Sequence, residues 1–146
     1  MEDVPSPAEI DFHATFAAGQ SELCDVLEQI DAATQKHSYP ADVAYALKLS
    51  VEELAMNTIH YGCHKQKQDC KITVTLSRNE THALLRVEDN GQAFDPLETS
   101  EGEHEPGTIG GHGIFLVRQM MDSLEYLNQD QHNIVIARKQ LPDASG

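Results

Sequence analysis

Positive charge is scarce in this chain. Ten Lys and Arg stand against 24 Asp and Glu, a formal net charge of −14 over 146 residues. That balance excludes sequence-independent DNA or RNA binding, which sets Lys and Arg against phosphates. It also repels a free triphosphate at long range, so a nucleotide bound here would arrive with a divalent cation. No apolar run reaches the length that spans a bilayer. The start, Met1-Glu2-Asp3-Val4-Pro5, lacks the basic and apolar regions of a signal peptide. The expected location is therefore the cytoplasm, with no membrane and no direct nucleic-acid partner. Three cysteines, Cys24, Cys63 and Cys70, form no scaffold spacing and are expected as reduced thiols. No Walker-type phosphate loop occurs, and no dinucleotide fingerprint follows a first strand.

What is present fits one domain with one core. Residues 1–9 are expected to be a flexible lead-in and 141–146 a tail, with the domain over 10–140. Ile10–Phe16 alternates like a half-buried strand. Ser21 begins a helix that fades near Lys36, with Leu23, Val26 and Ile30 on one face. Pro40 precedes the longest helix, Ala41 to Tyr61, which Gly62 stops. Lys71–Ser77 and His82–Glu88 form a hairpin, and Leu124–Asn128 and Asn133–Arg138 another. Gly113 to about Ser123 is helical. Residues 92–111 are polar and rich in glycine, which suits a lid. The order predicts an α+β two-layer sandwich: a mixed, mostly antiparallel sheet with helices on one face.

Three segments carry chemistry. In the first, Ser50, Glu53, Asn57 and Tyr61 make a polar stripe on an otherwise apolar helix. Asn57 offers a neutral oxygen suited to Mg²⁺. Glu53, one turn away, can take a proton from water or a hydroxyl. The competing explanation is an ordinary solvent-facing surface. In the second, Asp89 ends a strand two residues before Gly91. Such a carboxylate can accept the exocyclic amine of adenine, and Phe94 can pack beneath the base or the lid. An Asp-Asn-Gly turn also forms with no ligand at all. In the third, Gly110-Gly111-His112-Gly113 opens a helix, where backbone N–H groups can wrap phosphate oxygens. His60, Cys63, His64 and Cys70 could in composition hold zinc, but their spacing matches no standard site.

The stretches Val51–Asn57, Val87–Pro96 and Gly110–Asp122 resemble the N box, the Asp-x-Gly box and the Gly-x-Gly box of the GHKL ATPases. Within that superfamily they are most similar to the anti-sigma regulatory factors, which are serine-protein kinases. The resemblance implies a Bergerat fold that binds Mg²⁺-ATP under a lid. It implies an anti-anti-sigma partner of the STAS type, phosphorylated on serine, a sigma factor as a further partner, and a homodimer. By position, Glu53 would be the general base and Asn57 the metal ligand. Asp89 would contact adenine, Gly91 would allow close approach to it, and Gly110, Gly111, His112 and Gly113 would cradle the phosphates. Two positions depart from the pattern. No Lys or Arg lies between Arg86 and Arg118, where relatives place a basic lid residue. Ile136 is expected where relatives carry a threonine near the base. These departures motivate a second reading, a non-catalytic module of the same fold that sequesters a regulator.

Overall fold

The computed structural model describes residues 10–63, 70–93, 95–98 and 111–142. Five strands make one sheet: β1 (Ile10–Ala17), β2 (Lys71–Arg78), β3 (His82–Asp89), β4 (Ser123–Gln129) and β5 (His132–Gln140). Their order is β1-β2-β3-β5-β4. All four pairings are antiparallel, so the described sheet contains no parallel pair. Three helices pack on it: α1 (Gln20–Lys36), α2 (Ala41–Asn57) and α3 (Gly111–Met120). This is the expected α+β sandwich.

Alternation of side chains builds the core. Ile72, Val74 and Leu76 of β2 and Leu85 and Val87 of β3 are buried. They face Val26 and Ile30 of α1, Val43, Leu47 and Val51 of α2, and Val117 of α3 within one cluster. α2 lies between the other two helices. The β4–β5 connection is Asp130-Gln131, both with positive φ (53° and 67°), the mirror-image turn that matches strand twist. No helix among the described residues is long and apolar enough to cross a membrane.

A buried ionic knot fixes one end of the sheet. A register shift near the start of β1 turns Asp11 inward. Its carboxylate accepts from Tyr39 Oη at 2.7 Å and Arg78 Nε at 2.8 Å, with His37 Nδ1 at 3.3 Å. Arg78 also stacks over the Tyr39 ring at 4.6 Å. Burial, and then the bond to Asp11, keep the Tyr39 phenol protonated well past its usual range.

The long helix departs from expectation at its end. α2 stops at Asn57 and continues as a π-helical turn, Thr58–Gly62. The wider turn inserts one residue into the helical register. It places Thr58 where its hydroxyl bonds Leu54 O and Asp89 Oδ2. The four-residue stripe is thereby shortened. Ser50 is fully buried and donates its hydroxyl to Ala46 O. Tyr61 is exposed. Glu53 and Asn57 are what remains of it.

Candidate functional site

The site assembles where the end of α2, the end of β3 and the start of α3 meet. Asn57 is buried, and its Nδ2 donates to Glu53 O at 3.1 Å. That orientation leaves Oδ1 as an oxygen donor. Asn57 and Asp89 line the same narrow cleft with Leu54, Thr58, Gly62, Val87, Pro96, Asn133 and Val135. The cleft has room for about one water. Pro96 belongs to a short 3₁₀ turn, Pro96–Glu98, that Arg118 of α3 ties down through Leu97 O. A ring the size of adenine therefore enters only if that turn moves.

Asp89 is buried and fully engaged. Oδ2 accepts from Thr58 Oγ1 at 3.0 Å. Oδ1 accepts from Gly91 N–H at 2.9 Å and Asn133 Nδ2 at 3.0 Å. Asn133 Nδ2 also reaches Gln92 O, and Tyr126 Oη donates to Asn133 Oδ1. These contacts fix the carboxylate so that it points into the cleft with one set orientation.

Glu53 is half-buried. Burial first, and the neighbouring Glu52 charge second, raise its pKa, which makes it a stronger proton acceptor. Its carboxylate lies against Gly113 of α3. A Cβ built on Gly113 would overlap Glu53 Oε1 and stand only 2.5 Å from its Cδ. The absent side chain is thus what lets the third segment close on the first. Gly91 has a similar packing reason. A Cβ there would come within 2.6 Å of Gly62 O and 3.1 Å of Cys63 Sγ.

The three segments therefore meet. Gly111 and His112 lie in the first turn of α3. Phe94, Gly110 and residues 99–109 of the expected lid lie outside the described residues, as do residues 1–9 and 143–146. Two expectations need correction. Ile136 stands opposite Arg86, away from the cleft, and the last-strand residue at Asp89 is Asn133. Cys63 and Cys70 are joined as a disulfide, not held as free thiols, because the π-helical turn and the start of β2 bring their Cα atoms to 6.0 Å. Among the described residues no group of three His, Cys, Asp or Glu side chains could hold a metal, and His64 lies outside them. Sequence reasoning missed Thr58, Asn133 and Tyr126. A hydroxyl directly after Asn57 was the one available signal.

Residues 16–139 match the family described as histidine kinase-like ATPase domain. The chain belongs to that family. It is 33% identical over 101 residues to a protein of Listeria innocua named serine-protein kinase RsbW, covering 63% of each chain. It is 28% identical over 116 residues to the serine/threonine-protein kinase BtrW of Bordetella bronchiseptica, covering 75% of this chain and 79% of that one. The chain thus spans somewhat under two thirds of the RsbW relative's length. The histidine kinase domain of the blue-light activated kinase from Erythrobacter litoralis EL346 shares the fold. Its TM-score is 0.56 at 15% identity, over 83% of this chain and 60% of that one.

Proposed function

We propose that this chain binds Mg²⁺-ATP in the cleft and transfers the terminal phosphoryl group to a serine of a STAS-type anti-anti-sigma partner. One observation carries the reading. Asn57 and Asp89, from separate elements, line a single cleft, and Glu53 sits one turn from Asn57 against the glycine that opens α3. The names of the RsbW and BtrW relatives support the kinase assignment.

In this reading each residue has a distinct task. Asp89 accepts the exocyclic amine of adenine, held in orientation by Thr58, Gly91 and Asn133. Backbone N–H groups in the first turn of α3 receive phosphate oxygens, where the helix end favours negative charge. Asn57 Oδ1 fits a hard cation, being a neutral oxygen whose amide partner is already satisfied. Magnesium held there would neutralise charge on the phosphate oxygens. Glu53 takes the proton from the attacking serine hydroxyl, and its raised pKa suits that task near neutral pH.

The test is labelled transfer from Mg²⁺-ATP to the cognate STAS protein. Transfer that disappears in Glu53→Ala, with the fold retained by circular dichroism, supports the kinase. No transfer by the wild-type chain refutes it. The binding-only module has its own motive in the narrow cleft under Pro96 and the lack of Lys or Arg between Arg86 and Arg118. It predicts partner capture without nucleotide, and micromolar Mg²⁺-dependent ATP binding would exclude it.

A further inference from the structure

The Cys63–Cys70 bridge lies directly behind the turn that carries Asp89. Cys63 closes the π-helical turn, its N–H bonded to Thr58 O at 2.8 Å. Cys70 immediately precedes β2, and its carbonyl accepts from Ala18 N–H at 3.0 Å. The residue beside each cysteine grips one side of the Asp89–Gly91 turn. Gly62 O accepts from Gln92 N–H at 2.9 Å. Lys71 N–H donates to Asn90 Oδ1 at 2.8 Å. Cys63 Sγ itself sits 3.1 Å from where a Gly91 side chain would begin. Linking the two sulfurs ties both grips into one clamp around the turn. The same turn is fastened to Asn133 and Thr58 on its other side, so a change in spacing at the cysteines reaches the Asp89 carboxylate through two hydrogen bonds.

We propose that Cys63 and Cys70 form a redox-modified clamp: the closed disulfide holds the Asp89 turn ready for a nucleotide, and opening it lowers nucleotide affinity. The proposal rests on the nucleotide reading of the cleft. Closure uses a low-molecular-weight disulfide such as glutathione disulfide. One cysteine thiolate attacks a glutathione sulfur, forming a mixed disulfide and releasing one glutathione thiolate. The second cysteine thiolate attacks the protein sulfur of that mixed disulfide and releases the other. Two protein thiols are oxidised, one glutathione disulfide is reduced to two thiols, and the two cysteine protons pass to the leaving groups. Excess reduced glutathione runs the same exchanges backwards. Cys24, exposed and unbridged, takes no part.

The full chain is equilibrated in glutathione buffers of graded ratio, alkylated, and counted by mass. Mg²⁺-ADP affinity is then measured by calorimetry on the fully oxidised and fully reduced forms. The expected result is one alkylated thiol in the oxidised form, three in the reduced form, and roughly tenfold tighter binding by the oxidised form. Because coupling is reciprocal, saturating Mg²⁺-ADP should move the redox midpoint by about 30 mV toward the disulfide. Cys70→Ser should bind like the reduced wild type at every buffer ratio, and Cys24→Ser should follow wild type. Equal affinities, tighter binding by the reduced form, or three alkylated thiols at every ratio would overturn the clamp alone. No Mg²⁺-ADP binding by either form would remove the nucleotide reading, and the clamp with it.

Discussion

Replacing Gly113 by alanine separates positioning from stability, because the two move in opposite directions. In a helix alanine is favoured over glycine by about 1 kcal/mol. Against that, the new methyl meets the Glu53 carboxyl, with Cδ at 2.5 Å where ordinary contact begins at 3.4 Å. The carboxyl must retreat by roughly 1 Å. It is the far end of a flexible side chain, so the retreat costs one poor rotamer, about 0.5–1.5 kcal/mol. The two terms nearly cancel, and the melting temperature should stay within a few degrees of wild type. Catalysis should not be spared. A displacement of about 1 Å at a reacting group can cost on the order of 100-fold in rate. Thermal denaturation and labelled transfer to the STAS partner measure both quantities on one preparation. A stable Gly113→Ala protein that transfers phosphate at the wild-type rate would refute the claim that Gly113 sets the position of Glu53.

Three further substitutions probe other parts of the structure. Asn133→Ala removes one donor from Asp89 and the acceptor for Tyr126 Oη, so urea unfolding should show a loss of about 1–3 kcal/mol. Mg²⁺-ADP binding should weaken as well, whereas Ile136→Val should leave that affinity unchanged. Arg78→Ala leaves the buried Asp11 without its charged partner and should cost about 1.5–3 kcal/mol in urea, with no direct effect on the cleft. Glu53→Gln tests the raised pKa by its sign. A carboxyl whose folded pKa lies above its unfolded value stabilises fully below about pH 4.5 and loses that contribution as pH rises through the folded value. The neutral glutamine should therefore be more stable than wild type at pH 7 and no more stable at pH 3.5. A variant less stable than wild type at pH 7 would contradict it.

The layout of the fold was legible because its signals are local. Alternation in Lys71–Ser77 and His82–Glu88 marks buried strands, and the 3.6-residue spacing of Leu23, Val26 and Ile30 marks a buried helix face. The meeting of Glu53, Asn57 and Asp89 was inferred from segments that fold independently of one another. What escaped was non-local. Which residue of the last strand stands beside Asp89 depends on the β3–β5 register, across 44 positions of sequence. Alternation alone does not set that register, and Ile136 was placed three residues away from the position Asn133 fills. The π-helical turn left no sequence mark, since Thr58–Gly62 reads equally well as continuing helix. Without that turn Thr58 would not reach Asp89 and Cys63 would not reach Cys70. The cysteine pairing was missed for the same reason.

Amide chemical-shift mapping on labelled protein tests the central claim most directly, because it reports where a nucleotide touches without any partner. Titration with Mg²⁺-ADP should move the amides of Asn57, Thr58, Asp89, Gly91 and Gly113 together, with one shared dissociation constant. In the Asp89→Asn protein those shifts should require far more nucleotide. Perturbations confined to other surfaces, or none at millimolar Mg²⁺-ADP, would contradict the account.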